Sequence, residues 1–357
     1  MMKNIRRYCS RLFSKKTKGL LVAMAVALSS IFSMGCGGMG GSEEVTSIKI
    51  GVAIYDQYDM FMAAMMDRIS ENFTKLGEEN GISINIEVAY GTNNQSTQNT
   101  QVKNMIAHGC DVICVNPVDR TDTAYIINLA QENDLPIVFF NREPVNEDLR
   151  RWDKLYYVGA DAVQSGIMEG ELVVEYCKAH PEVDVNGDGV IQYLVLEGEA
   201  GHQDAIMRTE YSVSTVEDAG ITLERVTHCI ANWSGDQAKA KLLAILAAGD
   251  GPELIISNND AMALGAMGAY EEVGTPKSEW PAIFGIDGID QGLEAISAGT
   301  MKATVYNDKE GQADAIVGLA YALAMGDSLD SFNLEDGKYI WLPYKKISSN
   351  WGQAFSD

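Results

Sequence analysis

From about residue 47 the chain alternates between short apolar runs and longer stretches of helical periodicity. "SIKIGVAI" is apolar and β-branched, the composition of a strand. The next segment, "MFMAAMMDRISENFTKL", sets Phe61, Met65, Met66, Ile69, Phe73 and Leu76 near one helical face. The pattern repeats as strand "INIEVAY", a polar helix, strand "DVICVNP", helix "TAYIINLAQEND" and strand "PIVFFN". After "YYVGAD" it begins again, with "IQYLVL", "ELIISNN" and "AIFGID" each leading into a helical stretch. Short apolar strands alternating with helices predict α/β architecture, with parallel sheets covered on both faces. About 320 residues of such pattern exceed one comfortable core, so two doubly wound, Rossmann-like lobes are expected. Most of the 16 methionines then fill helix faces in the core.

The first 35 residues depart from this pattern. They hold seven Lys and Arg and no acid, followed by the 14-residue apolar run "GLLVAMAVALSSIF" and then "SMGC". A basic start and a short apolar run describe a secretory signal, because a membrane span needs about 20 apolar residues. Small residues before Cys36 predict lipoprotein processing, although Ser33 stands where a lipobox usually carries Leu. "GGMGGSEE" reads as a flexible tether. Removing the signal takes 7 of the 27 basic residues and none of the 50 acids, moving the formal charge from −23 to −30. Nucleic acid repels such a chain, since its binding depends on cationic contacts to phosphate. Cys110, Cys114, Cys177 and Cys229 remain after Cys36. Cys110 and Cys114 lie too far apart along one strand to bridge easily, and free buried thiols are expected.

In open parallel sheets ligands bind beyond the carboxyl ends of the strands. Polar planar groups gather there in this chain. "GVAI" leads to "YDQYDMF", "IVFF" to Asn141, and "YLVLEGEAG" to "HQDAIMR". "LIIS" ends in Asn258 and Asn259, "IFGI" in Asp287, and "KATVY" in Asn307 and Asp308. Each alone has a plainer reading as a helix cap, and Asn258 and Asp308 are expected to serve so. Together with Phe61 and Trp233, and without a Gly-rich phosphate loop, they suit a pyranose. Its C–H faces stack on aromatic rings, and each hydroxyl both donates and accepts.

"DVNGDGVIQYLVL" raises a separate question. Asp184, Asn186 and Asp188 occupy positions 1, 3 and 5 of a calcium loop, and Gly189 the tight-turn position 6. Position 12 is Val195 where a bidentate Glu is needed, and the residues after the glycine read as a strand. Either the loop binds no metal or the missing carboxylate comes from elsewhere in the chain.

"YDMFM", "FFNREP", "YYVGAD", "GHQDAIMR", "NWSGDQAK", "NNDAMALGA", "FGIDG" and "TVYND" resemble, in the same order, the galactose/glucose-binding members of the type I periplasmic sugar-binding family. The resemblance implies two lobes joined by three crossing segments, with the sugar in the cleft between them. It implies a signal peptide over 1–35 and a tether over 36–45. A first lobe would comprise 46–159 plus 307–337, and a second 160–306 plus 338–357. It carries sugar contacts onto Asp59, Phe61, Asn141, His202, Asp204, Arg208, Trp233, Asn259, Asp287 and Asn307. Phe61 and Trp233 would sandwich the ring, Arg208 would fork two donors to adjacent ring oxygens, and Asp59 would lie near O4. It also completes the calcium set, with Asp184, Asn186, Asp188, the Val190 carbonyl and Gln192 closed by Glu253. That site would be structural.

The implied role is that of an extracytoplasmic binding protein. It would be monomeric, anchored to the membrane by a lipidated Cys36, and would hand D-glucose or D-galactose to a membrane ABC permease. Presentation of sugar to a chemoreceptor or histidine kinase is the neighbouring alternative. From another class, a glycosidase would draw its paired carboxylates from Asp59, Asp204 and Asp287. Nothing in the sequence marks one of them as a raised-pKa acid. A repressor with this fold would need a basic helix-turn-helix head where this chain has a signal.

Overall fold

The computed structural model describes residues 45–349 apart from Asp250. The signal, the tether and Cys36 therefore lie outside the described residues, as do 350–357. Two six-stranded sheets organise the chain. The first contains β1 (Ser47–Ile54), β2 (Ser83–Tyr90), β3 (Val112–Val115), β4 (Ile137–Phe140) and β5 (Leu155–Gly159). The second contains β6 (Ile191–Glu197), β7 (Leu223–Ile230), β8 (Leu254–Ser257), β9 (Ala282–Asp287) and β10 (Ala303–Tyr306). Late in the chain, β11 (Tyr339–Trp341) joins the first sheet and β12 (Lys345–Ser348) the second. The orders are β11-β5-β4-β3-β1-β2 and β12-β10-β9-β8-β6-β7, so the two lobes repeat one topology. All pairings between these strands are parallel except that of β12 with β10.

Helices α1 (Met60–Asn80), α2 (Gln95–Ala107), α3 (Ala124–Glu132) and the short α4 (Asn146–Leu149) serve the first lobe. Helices α5 (Ala162–Ala179), α6 (Gln203–Asp218), α7 (Gly235–Ala248), α8 (Asp260–Val273) and α9 (Asp290–Ser297) serve the second, and α10 (Lys309–Met325) returns to the first. The central strands "VICV", "IVFF" and "LIIS" are buried at every position. Helices cover both sheet faces, so these strands carry no polar alternation. Each sheet has an apolar cluster on either face. Helix α1 buries Phe61, Met65, Met66, Ile69 and Phe73 as its periodicity predicts, and Leu76 packs at the edge of the same cluster. Asp59 caps its start and Gly81, at φ 66°, its end.

The chain crosses between the lobes after β5, after β10 and after β11. The last crossing differs from expectation. Residues 338–341 are expected in the second lobe, whereas β11 pairs Tyr339 with Tyr157 and Trp341 with Gly159 of the first. Aromatic packing decides the matter: Tyr339 and Trp341 stack at 5.4 Å, and both meet the Tyr157 ring edge-on. Lys338 Nζ also donates to the carbonyls of Trp152 and Asp153. The crossing therefore falls at Leu342–Tyr344.

Cys110, Cys114, Cys177 and Cys229 are buried and unpaired, as expected. Burial pushes the Cys114 thiol up to about 12 and the Cys110 and Cys177 thiols to about 11. None is a reactive thiolate at neutral pH.

Candidate functional site

Both lobes place non-glycine residues of positive φ after their strands. Asn141 after β4 and Asp287 at the end of β9 adopt positive φ, 59° and 117°. Thr92 and Asn93 after β2 match Asn232 and Trp233 after β7, all four at φ between 50° and 63°. Non-glycine residues in this region carry strain that the surrounding structure has to hold.

The second lobe supplies the charged centre. Arg208, on α6, is 3% exposed. Its Nη1 donates to the Asn258 carbonyl at 2.8 Å and its Nη2 to the Tyr344 hydroxyl at 3.1 Å. Asp204 lies 3.5 Å and Asp287 3.7 Å from the same guanidinium. Burial opposes its charge, yet Tyr344, Asp287 and Asp204 hold it above the ordinary arginine range. Burial also pushes the Asp287 carboxyl well up, with Arg208 pulling the other way and Asp260 and Asp59 adding repulsion. Asp59 belongs to the first lobe. Burial raises Asp204 as well, against Arg208, Arg142 and Arg120.

His202 caps α6, its Nδ1 accepting from the Asp204 backbone N–H at 3.1 Å. An obligate donor at Nδ1 leaves the ring proton on Nε2. Burial, then Arg142, Arg208 and Arg120, hold this imidazole well below its usual range. The ring meets Trp233 edge-on at 5.2 Å, and the Arg208 guanidinium lies 5.7 Å from the indole centroid. The indole rests on Gly198, where a Cβ would come within 2.3 Å of it. Asn259 caps α8 through the Met262 N–H, and its Nδ2 donates to the Trp233 carbonyl at 3.3 Å. Asn307 approaches Asp287 at 3.5 Å and accepts from Gln312 at 2.6 Å.

In the first lobe, Asp59 accepts from the Met62 N–H and, at 2.6 Å, from the Tyr55 hydroxyl. Phe61 is 4% exposed, in an apolar cluster that takes in Ile289 from the second lobe. Asn141 is half-buried; its carbonyl accepts from Tyr157 and its Oδ1 from Asn116. Capping and contact are thus compatible roles for Asp59, His202 and Asn259, since each keeps a polar atom beyond the one that caps.

Asn258 does not cap, contrary to expectation. Helix α8 begins at Asp260, so the cap position falls one residue later, and Asn258 Oδ1 accepts from the Gly198 N–H instead. Asp308 does cap α10, accepting from Gly311. Arg142 went unrecognised in the sequence, although it follows Asn141 directly. It is buried and lies 3.6 Å over the Tyr55 ring. It also pairs with Glu199 of the second lobe at 2.9 Å. No sequence signal marks Tyr344, because its contact with Arg208 depends on the third crossing.

The acidic loop closes on the distant strand. Glu253 Oε1 accepts from the Val185 and Asn186 N–H groups at 2.7 and 3.2 Å, and Oε2 from Gln192 at 3.0 Å. Asp184 accepts from Gly187, Asp188 and Gly189. Gln192 Nε2 sits between Asp188 Oδ2, at 3.3 Å, and the Val190 carbonyl, at 3.2 Å. Asp184, Asp188, Glu253 and the Val190 carbonyl supply hard oxygens, the chemistry calcium takes, while Asn186 and Gln192 turn amide nitrogens into the loop. Among the described residues no group of three or more His, Cys, Asp or Glu is gathered to hold a metal.

Residues 50–328 match the periplasmic binding protein domain. A D-galactose/methyl-galactoside binding periplasmic protein of Haemophilus influenzae is 35% identical over 342 residues, 94% of this chain and 98% of the relative. A xylitol-binding protein of Mycolicibacterium smegmatis is 27% identical over 312 residues, 85% of this chain and 81% of the relative. Among solved structures, an ABC transporter solute binding protein from Bacillus halodurans with bound myo-inositol has 28% identity and a TM-score of 0.71. It covers 86% of this chain and 96% of that one. Proteins of this kind bind and deliver solutes and do not transform them. By fold, by strand-end geometry and by sequence, the chain belongs to the periplasmic binding protein family.

Proposed function

We propose that this protein captures D-galactose or D-glucose between its lobes, outside the cytoplasm, and delivers it to a membrane ABC permease. The observation that carries this reading is Arg208, held between Asp204 and Asp287 beside the Trp233 indole. An aromatic plate next to fixed donors and acceptors fits the faces and edges of a pyranose. Likeness to the Haemophilus influenzae galactose-binding protein, at 35% identity against 27% for the xylitol-binding relative, favours a galactose-like hexose. Phe61 is read as the opposing plate, and Cys36 as a lipidated anchor.

Calorimetric titration with a panel of hexoses and pentoses tests the assignment. D-Glucose and D-galactose are expected to bind with micromolar or better affinity. Trp233→Ala should cost about 2 kcal/mol, roughly 30-fold, by removing a stacking plate. Tighter binding of ribose or xylose than of both hexoses would overturn the reading.

The Asp184–Gln192 loop with Glu253 is read as a structural calcium site, supported by its carboxylate and carbonyl oxygens and the loop contacts of Glu253. The residues that would hold the ion are Asp184, Asn186, Asp188, Val190, Gln192 and Glu253. A ligand that binds only the folded state stabilises by mass action. Chelation is therefore expected to lower the melting temperature while leaving hexose affinity within a few-fold, and Glu253→Ala should act likewise. Loss of sugar binding on chelation in a still-folded protein would mean the metal belongs to the binding mechanism.

A further inference from the structure

We propose that Asn116, which lies behind the site, sets the hydrogen-bonding polarity of Asn141 and so decides that this position donates to the ligand. The inference rests on reading Asn141 as a sugar contact. Asn116 follows β3 and is fully buried. Its Oδ1 accepts from the Tyr55 backbone N–H at 3.3 Å, and its Nδ2 donates to the Phe140 carbonyl at 3.2 Å. A backbone N–H only donates and a carbonyl only accepts, so these two partners fix which end of the Asn116 amide is which. The second Nδ2–H then donates to Asn141 Oδ1, with 3.0 Å between nitrogen and oxygen.

Every polar group of Asn141 except its own Nδ2 already has a protein partner. Its backbone N–H donates to the Val158 carbonyl at 3.1 Å, and its carbonyl accepts from the Tyr157 hydroxyl at 2.8 Å. Its Oδ1 is occupied by Asn116, whereas its Nδ2 forms no hydrogen bond with another described residue. The half-buried amide therefore offers an N–H outward. Were it free to rotate, it would offer a carbonyl oxygen equally well, and the position would not discriminate.

The second lobe shows the same arrangement put to another use. Asn258 occupies the place after β8 that Asn116 occupies after β3. Both backbone N–H groups reach back one strand, to Leu196 and Ala53 respectively. Asn258 Oδ1 is likewise fixed by a backbone N–H, that of Gly198, at 3.0 Å. Its Nδ2, however, goes to Thr209 Oγ1, and the neighbouring strand end carries Asp287, which has no amide to orient. Polarity in that lobe is set by charge, and in the first lobe by the chain of two amides.

Two measurements decide the matter. In the ligand-free protein, amide-proton exchange followed by NMR should show slow exchange at Asn116 Nδ2 and fast exchange at Asn141 Nδ2. The reverse pattern would overturn the proposal, and this reading needs no sugar. In hexose titrations, Asn116→Ala should weaken binding several-fold in the parent and change nothing in an Asn141→Ala background. Additive losses would mean that Asn116 acts only on lobe stability. Asn116→Ser, smaller but still polar, replaces the alanine variant should that fail to fold. Hexoses with a single hydroxyl replaced by fluorine, which only accepts, or by ammonium, which only donates, read the polarity directly. The parent should prefer fluorine at the position where Asn141→Ala abolishes the preference, and Asn116→Ser should shrink it. A preference for ammonium there would overturn the proposal. If the parent binds no hexose, the sugar assignment fails while the exchange pattern still decides the polarity of Asn141.

Discussion

Arg208→Met is expected to abolish hexose binding at concentrations that saturate the parent and to lower stability by about 3–5 kcal/mol, as breaking a buried ion pair does. Methionine keeps much of the volume but leaves Asp204 and Asp287 without their cation, and the Asn258 carbonyl and Tyr344 hydroxyl without their donor. Uncompensated buried carboxylates account for the stability loss. The loss of forked donors accounts for the affinity. Arg208→Lys separates the two effects. A lysine restores the charge and part of the stability, but a single ammonium cannot reach four partners while also presenting two parallel donors to a sugar. It should therefore remain at least about 100-fold weaker in binding, a loss of roughly 2.7 kcal/mol. Denaturant melts and calorimetry on both variants check this. Hexose affinity within tenfold of the parent in Arg208→Met would remove Arg208 from the site.

Stability should fall as pH rises from about 4 to 7, and Asp260→Asn should remove much of that slope. Asp260 is fully buried under the site, accepting from Gly288 and Ile289 N–H groups at 2.8 and 3.1 Å and from Thr304 at 2.7 Å. Burial pushes its carboxyl up from 3.8 to about 7, against these hydrogen bonds and Arg208. A carboxyl whose folded pKa lies above its unfolded value binds its proton more tightly in the folded chain. Its contribution is complete below the unfolded pKa and is lost as pH rises through the folded one. The slope is at most about 1.4 kcal/mol per pH unit. Glu169 and Asp287, raised well above the carboxylate range by burial, add slopes of the same sign. His202, held low, contributes the opposite sign as pH approaches its ordinary value of 6.5 from below. The difference between parent and Asp260→Asn isolates Asp260. Asparagine still accepts from the two N–H groups, and the Thr304 hydroxyl can turn to accept from it. Parallel melting temperatures in parent and variant from pH 4 to 8 would show that Asp260 keeps an ordinary pKa.

The strands and helices were legible in the chain because their signals are local. Full burial of "VICV", "IVFF" and "LIIS" follows from unbroken apolar runs, and the face of α1 from 3.6-residue periodicity. Asp308 reads as a cap because a cap needs only the next three residues. Asn258 misled for the same reason: which of two adjacent asparagines caps α8 depends on where β8 stops, and pairing with β6 and β9 sets that point. The third crossing failed on a non-local cause, since Tyr339 and Trp341 belong to the first sheet through Tyr157, about 180 residues earlier.

By itself the sequence determined the two-lobed α/β architecture, the free buried cysteines and the polar groups at the strand ends, because hydrophobic period and residue chemistry are properties of short stretches. Only the tertiary structure decided how those groups are used. Tyr344 reaches Arg208 from 136 positions away, Asn116 orients Asn141 from the neighbouring strand, and Arg142 meets Glu199 across the lobes. Donor direction, tautomer and ionisation all depend on which obligate partner lies within 3 Å and how much water is excluded. Both are fixed only when distant strands come together.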